Sequence, residues 1–392
     1  MEENQGVSES AARSFARAMA ASEAIKTPLR MSCGEILRAA RYAISLRLLS
    51  IHVIAFVPAY SIYLLCVYLS LLSTGQSLAT AWTEWGLLPS WVAISGPPSA
   101  AAVILFGLGI IGLGAAFLLA NTAGSRLLWM KRRGNIAFSI REAYDFAFGK
   151  FGAVIIAPGA VVILIALLAS GGVLVGLVGK IPYIGQLVVT GFAWLWLLAS
   201  FVLLLAFIIA ALSFLLAPAI MATTEEGALE ALFQIAGIVW SQPWRLLLYL
   251  VGVTLTAILG LIVVAFGMKH AFLLMDASFA MMVGNDYQNL STQAQHLLQN
   301  WSAPLGRLLS KAPEVTSHFF FSRPLMPLAL SPWLEVLARI FALSLLLAAV
   351  WALSYPLAIV NSGLTQTYLV LRRIKDGKNF LERPDADEST AP

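Results

Sequence analysis

Few side chains in this sequence stand at a spacing that chemistry could use. Gly107-Leu-Gly109-Ile-Ile-Gly112 has the glycine spacing of a dinucleotide-binding loop. Such a loop must follow a strand and open a helix, whereas these glycines sit inside an unbroken apolar run, where small residues serve helix packing. Asp385-Ala-Asp387 could pair two carboxylates, but it lies in a polar C-terminal stretch that reads as solvated chain. The histidines at 52, 270, 296 and 318 are scattered, with no metal-ligand spacing. The sequence holds no HExxH, GxSxG or Walker motif, and Cys33 and Cys66 form no CxxC. The expectation is a chain that is not an enzyme, with no catalytic, cofactor-binding or metal-binding residue.

Composition points elsewhere. Hydrophobic residues make up 59% of the 392 and charged residues only 11%, against about 45–50% and about 25% in soluble domains. The net charge of +5 could suggest nucleic acid. The basic residues flank apolar runs, however, so membrane orientation is the better reading and no nucleic-acid partner is expected. The first apolar run begins near Leu48, too late and too long for a signal peptide.

The apolar runs predict an all-α integral membrane protein, a six-span helical bundle. The spans fall at 48–72, 100–120, 151–175, 190–217, 246–268 and 338–365, with a turn at 179–185 between the third and fourth. With the N-terminus in the cytoplasm, all of the 25 Lys and Arg but Lys180, Lys269, Arg307, Lys311, Arg323 and Arg339 fall on the cytoplasmic side. That asymmetry places both termini there. No charged residue lies deep in a span. His52, near the start of the first, reads as a helix residue hydrogen-bonded in place.

An internal plan is visible. Three Ser/Thr-x-x-Glu tetrads occur, Ser32 to Glu35, Ser139 to Glu142 and Thr223 to Glu226. Each has the form of a capping box, and each precedes a short amphipathic stretch. In the third, Leu229, Leu232, Phe233, Ala236 and Trp240 share one face, and Glu226, Glu230 and Gln234 another. Each stretch ends at a basic residue placed to anchor in the headgroups, Arg47, Lys150 or Arg245. A two-span hairpin follows each time. The plan divides the chain into a disordered tail 1–31, unit 32–120, unit 139–217, unit 223–371 with an insertion at 269–337, and a tail 372–392.

Other features read as packing. Gly152, Gly159 and Ala166 recur every seven residues, a smooth face for another helix. Pro58, Pro158, Pro218 and Pro356 lie in or at the ends of spans, where proline is tolerated. The connection 73–99 carries Trp82, Trp85 and Trp91 with Glu84 its only charge, suited to a membrane interface. Glu335 and Arg339 stand at i, i+4 as a pair. Segment 269–337 is apolar for a solvated loop. It lies on the bilayer, caps the bundle or binds a membrane-protein partner. Its sequons at Asn289 and Asn300 matter only in a glycosylating host.

The run from Pro218 to Tyr249 carries a resemblance. Pro218-Ala-Ile, Glu226-Gly-Ala-Leu-Glu-Ala-Leu-Phe, Ser241-Gln-Pro-Trp-Arg245 and Tyr249 are its skeleton. It resembles uncharacterised bacterial multi-pass inner-membrane proteins and, more loosely, the membrane domain of glycerophosphodiester phosphodiesterases. The resemblance implies a bacterial inner-membrane helical bundle and carries over no catalytic residue. The sequence therefore leads to a lipid-embedded scaffold or accessory subunit, with a transporter or lipid-handling protein, uncoupled to intramembrane charge, as the alternative.

Overall fold

A computed structural model of the chain describes residues 34–89, 99–309, 311, 326 and 328–376. Among them the architecture is all-α, with six helices long and apolar enough to cross a membrane. In chain order the helices are α1 (Gly34–Ala43), α2 (Leu46–Ser73), α3 (Leu78–Trp85), α4 (Ala100–Arg132), α5 (Ile140–Val178) and α6 (Ile184–Gly191). There follow α7 (Ala193–Thr224), α8 (Ala228–Ser241), α9 (Pro243–Val283), α10 (Asn285–Trp301), α11 (Ala303–Leu309) and α12 (Pro332–Asp376). The spans are α2, α4, α5, α7, α9 and α12. The chain is a polytopic integral membrane protein.

The helices run past the apolar windows. At about 1.5 Å per residue, the 39 residues of α5 reach about 58 Å, nearly twice the roughly 30 Å hydrocarbon core. One expected break is absent. The short helix foreseen before the third span is simply the first turns of α5, which runs unbroken from Ile140. Gly149 alone does not interrupt it, since an isolated glycine weakens a helix without ending it. The other two short helices do stand apart from their spans. Ser45 is extended between α1 and α2, and Pro243, with no N–H to give, opens α9 after Gln242. Pro58, Pro158, Pro218 and Pro356 all lie inside helices. The 179–185 turn is present, with Tyr183 at φ 60° and the added helix α6 following it.

The chain divides into two compact units, which cut across the three sequence segments. Unit 1 comprises residues up to Tyr42, Leu118–Thr254 and Val360 onward. Its core gathers Trp129, Leu216, Ile220, Ile235, Tyr249 and Tyr368, with α5 packed along α7. The face of α5 that packs is Ala143, Ala147, Val154, Ala157, Val161 and Ile165. It is not the Gly152/Gly159/Ala166 seam. Side chains built on those two glycines would meet nothing within 4 Å, so among the described residues no helix packs against the seam.

Unit 2 comprises Ala43–Phe117 and Leu255–Ile359. In it the backbone at 86–89 is held by three tyrosines of α2. Tyr60 donates to Leu87 O, Tyr63 to Pro89 O (2.9 Å) and Tyr68 to Gly86 O. Gly86 has φ 53°, and a Cβ there would sit 2.3 Å from Trp301 O, so only glycine fits. Leu87 N donates to that same oxygen at 2.6 Å. Arg307 on α11 donates to Glu84 O (2.7 Å) and lies 5.4 Å from the centre of the Trp85 ring. Thus α3, α10 and α11 form one ordered assembly. Its interior includes Ser291, which donates to Asp276, and Tyr287, whose phenol is pushed up by burial and then by Asp276. The sequons fall on α10.

Of the smaller expectations, Gly109 packs closely against Tyr63 and Cys66, as a packing glycine should, whereas Gly107 and Gly112 face open space. His52 is buried, its Nδ1 2.9 Å from Leu48 O and its ring stacked on Phe56. Arg339 pairs with Glu335 at 2.9 Å. Trp91 and Asp385–Asp387 lie outside the described residues.

Candidate functional site

Among the described residues, a dense buried polar cluster lies in unit 1, where α4, α7 and α12 leave their apolar runs. Helix α4 continues from Ala120 into Asn121, Thr122 and Ser125, and α12 from Val360 into Asn361, Ser362 and Thr365, all of them buried. A buried polar group is costly unless hydrogen-bonded. These groups find each other across the helices. Asn361 Nδ2 donates to Asn121 O (2.8 Å) and Asn121 Oδ1 (2.9 Å), and Ser125 meets Thr365 at 2.8 Å. Ser362 donates to Ala39 O on α1 at 2.9 Å.

Both bridges join residues 240 apart in sequence. A constant difference, rather than a constant sum, means that the two helices run in the same direction. The second and sixth spans are thus parallel, as alternating spans require. The proton on the hydroxyl pair can also be placed. Thr365 Oγ1 donates to Asn361 O at 2.8 Å. A hydroxyl has one hydrogen, so Thr365 must accept from Ser125.

The end of α7 is held by cations. Glu225 terminates it in the left-handed region at φ 61°. Arg126 reaches it from α4, with Nη1 2.7 Å from Glu225 Oε1 and 3.2 Å from Ala222 O, while its guanidinium lies 4.3 Å from the centre of the Phe146 ring. Lys150 donates to Glu225 O. The last carbonyls of a helix are unsatisfied and partly negative, so two cations stabilise this terminus. A second relay ties α8 to α12. Arg372 donates to Tyr368 (2.6 Å) and to Gln234, Tyr368 donates to Gln234 Oε1 (2.6 Å), and Gln234 donates to Glu226.

The residues singled out in the sequence are placed as follows. Ser139 and Glu142 form a full capping box, with Glu142 N donating to Ser139 Oγ (3.2 Å) and Ser139 N to Glu142 Oε2 (2.6 Å). Thr223 and Glu226 form none. Thr223 is inside α7, and its hydroxyl donates back to Ala219 O at 2.8 Å. This back-bonding lets α7 run on to Thr224, so the N-cap of α8 falls at Gly227. Glu226 accepts from Gln234 instead. Ser32 lies outside the described residues, and Glu35 is in the first turn of α1. Arg47 and Arg245 are exposed, whereas Lys150 is taken up by Glu225. On α8 the buried side is Ala231, Ile235 and Ile238; of the face written as Leu229, Leu232, Phe233, Ala236 and Trp240, Leu229, Phe233 and Trp240 point outward, whereas Leu232 packs against the core.

The arrangement is a joint between helices. Asn361, Ser125 and Ser362 donate to other helices, Thr122 and Thr365 donate back into their own, and the cations neutralise a helix end. Replacing Asn361 with leucine is expected to lower stability by about 1–2 kcal/mol. Interhelical hydrogen bonds in membranes average about 0.6 kcal/mol each, and Asn121 loses its partner as well. Thermal unfolding in detergent, compared with wild type, measures it. Asn121, Ser125, Asn361 and Thr365 were not evident beforehand. Their signal was an i, i+4 polar pair placed alike at the end of the second and the last apolar run.

No family model, no curated protein and no solved structure matches this chain.

Proposed function

We propose that this chain is a non-enzymatic scaffold or accessory subunit of a membrane complex, in a bacterial inner membrane with both termini in the cytoplasm. The observation that carries the reading is the far end of α9. Met281, Met282 and Val283 are consecutive and 85%, 87% and 62% exposed. They lie about 20 Å along the helix past the apolar window 246–268, beside the ordered assembly of α3, α10 and α11. An apolar patch beyond the hydrocarbon is a protein-contact surface, and methionine adapts to a partner's shape. The joint in unit 1 supports the same reading, since a scaffold works by holding its spans in one register.

Native mass spectrometry after mild extraction tests it. A stoichiometric protein partner is expected, and Met281→Glu with Met282→Glu should release it while leaving the fold intact. A chain that leaves the membrane alone sinks the proposal. The lipid-handling alternative has its own observation. In unit 2 a groove of about 720 Å³ is lined by Leu49, Val263, Met268, Leu347, Trp351 and Tyr355. If that reading is right, the extracted protein retains a specific lipid in place of a protein partner.

A further inference from the structure

Helix α8 has apolar side chains on two opposite sides, and only one of them is covered by protein. Its 14 residues reach about 21 Å, too short for the roughly 30 Å needed to span a bilayer. Ala231, Ile235 and Ile238 are 0–2% exposed and belong to the core of unit 1. At about 100° per residue, Leu229, Phe233 and Trp240 lie roughly opposite, and they are 67%, 72% and 85% exposed. Between these two sides, at roughly right angles to both, lies the polar strip of Glu230 and Gln234. The strip facing it is apolar again, with Ala228, Leu232 and Val239 packed against the core.

We propose that α8 is an in-plane membrane helix, seated in the headgroup–acyl boundary of one phospholipid leaflet. Its core side faces unit 1. Its Leu229–Phe233–Trp240 side enters the surrounding lipid, and on its polar strip Glu230 faces water while Gln234 bonds Tyr368 and Arg372 of α12. A helix in water has no use for two apolar sides, and a spanning helix has none for a polar strip. Only the boundary supplies protein, lipid and water in three directions. The outward side is also continuous with the surface that meets the bilayer. Leu247, Leu248 and Val251, in the first turns of the spanning helix α9, are exposed too, and Trp244 stands between them and Trp240. Indole rings favour that depth, and Arg245, exposed beside Trp244, carries the charge that headgroup phosphates attract. The relay from Gln234 to Tyr368 and Arg372 fixes the seated helix to the end of α12.

The test places a benzophenone amino acid at Phe233, and separately at Glu230, in the full chain in phospholipid nanodiscs, followed by irradiation and mass spectrometry. Both positions are exposed, so neither replacement disturbs the core. Phospholipid adducts at 233, at least fivefold above those at 230, are the expected result. Adducts to protein at 233, or equally low lipid adducts at both positions, would overturn the proposal. The first means that a protein covers this face, the second that it lies in water. Neither outcome depends on whether a partner binds at Met281–Val283.

Discussion

Replacing Arg126 with alanine is expected to be among the most damaging single changes to this fold. The guanidinium is 11% exposed and joins α4 to the end of α7 through Glu225 and Ala222 O. Removing one partner of a buried pair costs about 3–5 kcal/mol. Glu225 is 37% exposed, so water compensates part of its charge and the figure falls to about 2 kcal/mol. The contact with Phe146 adds to this loss. Arg126→Lys should recover less than half, because an ammonium cannot serve a carboxylate and a carbonyl in one plane while stacking on a ring. Glu225→Gly separates the contributions. It loses the ion pair but relieves a left-handed non-glycine residue, and should therefore cost less than Arg126→Ala. Thermal unfolding of the four proteins in one detergent gives the order. Equal stability of Arg126→Ala and wild type would mean that the pair holds nothing.

A methyl group at Gly363 should cost comparably, for a steric reason. A Cβ there would lie 2.7 and 2.8 Å from the two methyl carbons of Val253 and 3.2 Å from its Cβ. These are side chains of two packed helices, α12 and α9, and valine has little rotamer freedom with which to withdraw. Overpacking of this kind costs about 1–3 kcal/mol. Gly363→Ala should therefore unfold earlier than wild type, and Val253→Ala in the same chain should restore most of the loss. Were the double variant no more stable than the single one, close helix approach would not be the reason for glycine here. This glycine lies in none of the glycine patterns that stand out in the sequence.

The contrast shows what was legible. The spans were, because an apolar run of about 18 residues has few other uses. Their ends were not. Asn121 and Ser125 look like the start of a loop after the second run, and Asn361 and Thr365 like the polar close of the last, yet they bond to one another across α4 and α12 and both backbones stay helical. Thr223 misled for the opposite reason: a hydroxyl that caps one helix can equally bond back into another, and the tetrad does not say which. The Ser139 box was legible because both halves of a capping box are local. The outward face of α8 was read as an apolar side, but sequence periodicity could not tell that Ala231, Ile235 and Ile238 would take the core. The joint itself depends on a 240-residue separation, which no window of sequence contains.

The direction of the Ser125–Thr365 bond has an electrical consequence. Proton conduction through a membrane needs a row of groups that each receive a hydrogen on one side and release another on the far side. Thr365 hands its only hydrogen to a main-chain carbonyl, Asn361 O, which has none to release. A hydrogen arriving from Ser125 therefore stops there. The joint gives hydrogen-bonded strength where these two spans meet, and its pair of hydroxyls is the end of a hydrogen-bond chain rather than a link in such a row.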